Sequence, residues 1–421
     1  MKYLVCIILS ISSIQLYAQQ CINFSIKADK DYLDVPVSFS LDHIGYNADS
    51  LHLALYEISN RGEKSVPSQL EIGYTTRLWF LLEGYSAKNS VRKFVLKMNQ
   101  GALSQKVEDH VHTNKSDGAM TFYFKEQPVL SYRFETMFPP IGIDPLYKRS
   151  GFIHPLWSPK GEVLSRVQPP DHYHHYGIWG PWTLTHIGDR KVDFWNLNKG
   201  EGTVKFAGFL SEITGNVFSA IRVLQQHIDF GAKGEDQIAM NEVLDIRVWN
   251  SNSGVWIIDY TTSVNTPLKN GIKLDAYRYG GGIGFRSTEK WTKGNCTVLT
   301  SEGKTRTNAD GSHARWCIVE GESEIPEGRS GILFLSHPSN RAHPEPMRVW
   351  PIDANEGRGD LFFEFSPIRH QSWELARGCD YVLRYRMIVF DGHIDKEKAE
   401  VYWNSFSGMP EIEFAHKAKN K

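Results

Sequence analysis

The sequence predicts an all-β protein: a large, wide two-sheet β-sandwich preceded by a smaller one. Three observations lead there. Runs of alternating apolar and polar residues recur along most of the 421 residues, which is the period-2 signature of half-buried strands. Strand-like runs do not alternate with helical ones, which excludes Rossmann and TIM-barrel architectures. Polar clusters such as Asn60-Arg61-Gly62-Glu63-Lys64 separate the early runs at the even spacing of a sandwich. Composition narrows the function classes. Lys and Arg number 47 against 48 Asp and Glu, so neither a nucleic-acid surface nor a polybasic membrane patch is expected. Hydrophobic residues at 41% and aromatics at 12% suffice for a packed core.

Taken in order, residues 1–18 read as a signal peptide. Lys2 supplies the charged start, residues 4–9 with Ile11 and Ile14 the short apolar run, and Ala18-Gln19 the cleavage junction. The mature protein is therefore expected in the periplasm or outside the cell. Cys21 raises a lipid anchor, but Gln20 is not the small residue such a signal prefers, so export by the general route is the stronger reading. No later stretch offers the roughly 20 apolar residues of a membrane span.

Residues 19–127 are expected to form the small accessory sandwich, with strands at 35–41, 51–56, 79–84 and 93–97 and no catalytic constellation. Residues 128–415 are expected to form the large one. Strands are read at 129–134, 254–261 and 381–390, and Asp395 caps a short helix whose Val401, Tyr402, Trp403 and Phe406 dock on a sheet. No CxxC pair is present, which removes a zinc ribbon. Cys296 and Cys317 either bridge neighbouring strands or stay as free buried thiols.

Chemistry concentrates in residues 169–195, PPDHYHHYGIWGPWTLTHIGDRKVDFW. This window holds His172, His174, His175 and His186, the acids Asp171, Asp189 and Asp193, and Trp179, Trp182 and Trp195. If extended, it places His172 and His174 on one face and Asp171, Tyr173 and His175 on the other. Imidazoles titrate near neutral pH and ligate metals. The plainer alternative is a set of core polar groups beside packed aromatics, but three histidines in four positions are costly to satisfy there.

Three more clusters belong to the large region. Residues 279–286, YGGGIGFR, lack the spacing of a dinucleotide loop and read instead as a bulge lining a cleft, where glycine admits another backbone or a ligand. The stretch 337–344, HPSNRAHP, is a proline-bounded loop after an apolar strand, bearing His337, Asn340, Arg341 and His343. Glu364 sits among Phe362, Phe363 and Phe365, where desolvation would raise its pKa and suit it to proton transfer.

The motifs His154-Pro155, Trp157-Ser158-Pro159-Lys160-Gly161, Asp171-His172-Tyr173-His174-His175 with Gly177 and Trp179, Asp193-Phe194-Trp195, Gly282-Ile283-Gly284-Phe285-Arg286 and His337-Pro338 occur in this order. In this the chain resembles the exported bacterial family labelled "methane oxygenase PmoA", or PmoA-like. Tyr176 stands where that family usually carries arginine. The label itself implies no methane chemistry, because the monooxygenase subunit of that name is an integral membrane protein. The resemblance implies an exported β-sandwich protein associated with polysaccharide use, and a wide β-sandwich with cleft histidines and a carboxylate also resembles the galactose-mutarotase-like supersandwich of aldose mutarotases.

The resulting expectation is a carbohydrate-active enzyme without a cofactor, its ligand a glycan. His172, His174, His175, His337 and Glu364 would be catalytic. Asp171, Trp179, Tyr279, Arg286, Asn340, Arg341 and His343 would bind substrate, with the three clusters sharing one pocket. Two alternatives stand beside it: a divalent metal on His172, His174, His337 and His343, or a glycan-binding protein without turnover.

Overall fold

The computed structural model describes residues 20–42, 52–99, 111–231 and 234–415. The expected signal peptide lies outside the described residues. Among those residues two large antiparallel sheets form the main body. One has nine strands, in the order His313–Ala314, Glu345–Val349, Phe362–Phe365, Ile283–Arg286, Ile178–Trp179, Phe152–Leu156, Gln127–Arg133, Ala119–Phe124 and Val111–Ser116. The other has eight, running Gly202–Ile213, Phe218–Asp229, Gln237–Trp249, Trp256–Asn265, Tyr381–Asp391, Arg329–Ser336, Trp316–Glu322 and Cys296–Thr300.

Alternation along each strand decides what each face carries. Ile283, Phe285, Phe363, Phe365, Met347 and Val349 turn inward and meet Leu244, Ile258, Phe334 and Met387 of the eight-stranded sheet in one continuous core. Their neighbours Arg286, Phe362, Glu364 and Arg348 therefore project from the opposite, outer face. A slip of one residue in register would exchange the two sets, so burial of the phenylalanines fixes where the polar groups point.

The outer face of the eight-stranded sheet is covered differently. Trp249, Ile257, Leu333, Leu335 and Ile388 pack there against Ala399 and Tyr402 of the helix Lys396–Ser407 and against Leu33 and Trp79 of the small sandwich. Asp395 caps that helix as expected, accepting the Lys398 N–H at 2.7 Å. Trp403 and Phe406 join the same cluster. The small sandwich has its own core around Phe24, Val37, Phe80 and Leu96. It is tied to the sheet through Arg247–Glu71 at 2.6 Å and through Gln69, whose Oε1 accepts the Val217 and Phe218 N–H groups at 2.9 and 3.0 Å.

Two boundaries differ from expectation. The hairpin Val111–Ser116 and Ala119–Phe124 belongs to the nine-stranded sheet, so the chain has left the small sandwich before residue 111, not at 127. The turn is Asp117-Gly118, with φ of 48° and 70°, a pair suited to the tightest hairpins. At the other end Glu411–Phe414 returns to the small sandwich and pairs with Gln20–Lys27. Cys296 and Cys317 lie on paired strands, but Cys296 faces Gly321 and Cys317 faces Thr300. The offset separates them, and both thiols are free.

Candidate active site on the outer face of the nine-stranded sheet

The DHYHH stretch is a turn, not a strand. An antiparallel bridge joins Val167 to Tyr176, and the Gln168 N–H donates to the His175 carbonyl at 2.7 Å. Inside that pinch the His172 N–H reaches the Pro169 carbonyl at 2.9 Å and the His175 N–H the His172 carbonyl at 3.0 Å. Pro169 and Pro170 fix φ and donate nothing, which favours turning over pairing. The expected split of the histidines between two faces is thereby overturned. His172, His174 and His175 face one another with ring centroids 4.7–5.3 Å apart, while Tyr173 packs on Tyr147.

Beneath them the sheet supplies Arg286, wholly buried. Its Nη2 donates to Asp171 Oδ2 at 2.7 Å, lies 3.5 Å from Asp360 Oδ1, and its guanidinium sits 4.7 Å from the Trp350 ring centroid. The same Asp171 oxygen meets His172 Nδ1 at 2.8 Å. Burial pushes the Asp171 carboxyl up, but the His172 hydrogen bond and the Arg286 charge win and hold it well below the usual carboxylate range. An ionised carboxylate only accepts, so His172 Nδ1 carries a proton and donates it to this hydrogen bond. Burial, then the charges of His172 and Arg286, brings His174 down to about 4, so it is neutral at neutral pH. Burial also holds His175 well below the usual imidazole value, and its Nδ1 has no hydrogen-bond partner among the described residues.

The site thus pairs polar groups with a wall of aromatic rings. Trp195 Nε1 donates to the His174 carbonyl at 2.7 Å. Asp193 in turn positions Trp195, accepting its backbone N–H at 2.9 Å. Tyr279 accepts hydrogen bonds from Trp350 Nε1 at 3.0 Å and Arg348 Nη2 at 3.2 Å and is itself half-buried. The glycines after it are needed for close approach. A Cβ on Gly281 would stand 2.1 Å from the Trp182 ring, and one on Gly282 2.1 Å from the Phe365 carbonyl oxygen. Two neutral imidazoles, His174 and His175, beside a third oriented by an anion can accept protons or bind an electrophile, and the aromatic surround lowers the local dielectric.

Several expected site residues take other roles. Glu364 projects from the same sheet face but is 0% exposed. One oxygen accepts the Gly280 N–H at 2.6 Å, the other has no partner, and burial raises its pKa well above the usual value. It braces the glycine loop from inside and is closed to a ligand. Trp179 is 1% exposed within the aromatic cluster, so it offers no stacking face. Arg286 spends its charge on Asp171 and Asp360 and orients them rather than a ligand.

The His337–His343 loop does not converge with the histidine turn. The His337 N–H donates to the Arg384 carbonyl of the eight-stranded sheet at 3.2 Å, which keeps the loop on that side. His337 lies edge-on to Phe406 and lines a cleft of about 810 Å³ between that sheet and the small sandwich. Asn340 is buried, donating to Glu345 at 2.9 Å and to the Arg384 carbonyl at 2.8 Å. Arg341 donates to the Ser372 carbonyl at 2.8 Å over Trp373, and His343 stacks on Trp403. These contacts are packing, and the expected shared pocket is reduced to the histidine turn and the Tyr279–Arg286 segment.

Sequence reasoning assigned no role to Asp193, Trp195, Arg348, Trp350 or Asp360. Asp193 and Trp195 stood inside the histidine-rich window, and Arg348 alternates with Met347 and Val349 as an outward residue should. Asp360 carried no local signal. Nor did the pair inside the sandwich, where fully buried His227 Nε2 meets Glu242 Oε2 at 2.8 Å and Thr262 donates to the same carboxylate at 2.7 Å.

Fold and site together define an all-β two-sheet sandwich protein with a histidine-centred site on one outer sheet face. The chain belongs to the family of unknown function DUF6807, whose model matches residues 119–404. That span begins at the hairpin which the structure assigns to the large sheet. No curated protein matches the chain. Among solved structures it is similar to an alpha-mannosidase from Enterococcus faecalis V583, at 10% identity and a TM-score of 0.44. The match covers 95% of this chain and 46% of the mannosidase, so the chain spans less than half the length of that relative. Among the described residues no helix is long and apolar enough to cross a membrane.

Proposed function

We propose that this protein is a carbohydrate-active enzyme whose proton-transfer groups are His172 and His174. The observation that carries the reading is the Asp171–His172 pair at 2.8 Å beside the half-open, neutral ring of His174. An imidazole oriented by an ionised carboxylate and presenting Nε2 outward is a ready general base. Arg286 holds Asp171 in place, and the half-buried Tyr279 would border a bound sugar. His175, buried beneath, shapes the turn. The motif resemblance described above supports an exported, glycan-related role, and the start of the sequence supports action in the periplasm or outside the cell. Mature protein from the native cell should then begin at or near Gln19 or Cys21.

The test is incubation of the purified protein with a panel of oligosaccharides. Reducing ends, unsaturated products and solvent deuterium incorporation are followed in parallel, so that hydrolysis, elimination and epimerisation are each visible. Turnover that disappears in His174→Ala with an unchanged fold supports the reading. Glycan binding equal in the two proteins, with no turnover in either, replaces it with a binding protein.

A further inference from the structure

We propose that His172, His174 and His175 together bind one first-row transition-metal ion of the zinc type. Each of the three offers a ring nitrogen, and these atoms all lie within 4.8 Å of one another. Zn–N bonds of about 2.0–2.1 Å in a tetrahedral site need only small rotations of side chains already gathered by the turn. The backbone bonds from His172 to Pro169 and from His175 to His172 hold that turn without an ion, so little ordering remains to be done on binding.

Three details separate this cluster from histidines that merely pack. Asp171 accepts a hydrogen bond from His172 Nδ1 at 2.8 Å, which leaves Nε2 as the atom to ligate an ion. A carboxylate behind a histidine is the usual outer support of a metal ligand. His175 is 1% exposed yet its Nδ1 lacks a partner among the described residues, a buried polar group left unsatisfied at a cost that a metal–nitrogen bond at this imidazole would offset. The cluster is also open on one side, since the His172 side chain keeps 29% of its exposure. Three protein ligands with a free position describe a site that can take water or a substrate oxygen.

The donor set fixes the class of ion. It is all nitrogen, with no carboxylate among the gathered atoms, which suits Zn²⁺, Cu²⁺, Ni²⁺ or Fe²⁺ and not Mg²⁺ or Ca²⁺, which require oxygen. This set also replaces His337 and His343 as ligands, because both pack against the C-terminal helix.

The inference does not depend on the ligand being a sugar; an ion held by these nitrogens would supply an activated water in place of proton transfer by the imidazoles themselves, and its test is binding. The full chain is stripped with a chelator and titrated with Zn²⁺, and separately with Co²⁺ followed by visible absorption. One equivalent per chain is expected, with a ligand-field spectrum of a nitrogen-ligated ion that Zn²⁺ abolishes. Asp171→Asn should weaken binding roughly 10- to 100-fold, as removal of an outer support does. His174→Ala and His174→Gln should weaken it further, and His343→Ala should leave it unchanged. Circular dichroism melts confirm that each variant is folded. Absence of stoichiometric binding, or binding that survives His172→Ala combined with His174→Ala, overturns the site. Glycan turnover by protein that binds no metal would remove this inference and leave the proposed function standing. Metal binding without any glycan binding or turnover would do the reverse.

Discussion

Two proline-bounded loops of this protein carry a similar chemistry in sequence and do different things in space. Residues 169–176 fold back on themselves, so their histidines face one another above Arg286. Residues 337–344 spread out, and each polar side chain finds a separate packing partner. Their acids differ in the same way. Asp171 has a guanidinium and an imidazole as partners and stays ionised. Glu345, at the end of the second loop, is fully buried and has only neutral donors in Ser336, Asn340 and Tyr385, so burial lifts it to about 7. Residue types did not distinguish the two loops. The charge of the neighbour and the convergence of the side chains did.

The largest contrast should lie in the two arginines. Arg286→Ala removes the wholly buried cation shared by Asp171 and Asp360, leaving His172 to the first and Arg358 to the second, and should cost about 3 kcal/mol. Arg341→Ala removes a partly exposed contact over Trp373 and should cost about 1 kcal/mol or less. Urea midpoints of the two variants measure this, and equal losses would erase the distinction. The second contrast is in pH. Because the Glu345 carboxyl is raised in the folded state, its contribution is full below about pH 4.5 and is lost as pH rises through about 7. The loss is on the order of 3 kcal/mol. Glu345→Gln should remove that slope and be the more stable protein at pH 8.

Activity gives the third contrast. On a glycan that the protein converts, His174→Ala should lower turnover by roughly 100-fold or more, the usual worth of a positioned proton-transfer group, with its melting curve retained. The smallest effect belongs to His337→Ala, which removes an edge contact with Phe406. It should leave turnover unchanged and shift stability by less than about 1 kcal/mol. A loss of turnover there would reunite the two loops in one site.

Much of the architecture was legible because alternation is a local signal. Phe362-Phe363-Glu364-Phe365 shows in four residues which side chains enter the core and which leave it. Asp395 announced its helix for the same reason. The histidine window was legible as chemistry but not as shape. Its turn depends on the bridge from Val167 to Tyr176 and on the sheet beneath, neither of which a five-residue motif contains. Trp350 and Asp360 reach Arg286 only once distant strands are laid side by side. The limit of the small sandwich was less legible, because Asp117-Gly118 marks a hairpin without saying which sheet that hairpin joins. The pairing of Glu411–Phe414 with a strand nearly 400 positions away had no local trace.

That last pairing bears on how the molecule can be made. Phe414 lies against Phe24 and Phe39 at 5.7 and 5.2 Å and forms the edge of the sheet that Gln20–Lys27 enters first. During synthesis the first sandwich to appear is therefore the last to be finished, since its missing strand arrives after the whole large sandwich. Until then Gln20–Lys27 presents an unpaired edge of the kind that recruits other chains. The early segment must wait, held open or shielded, and a product interrupted before residue 411 carries its fault at the opposite end of the sequence.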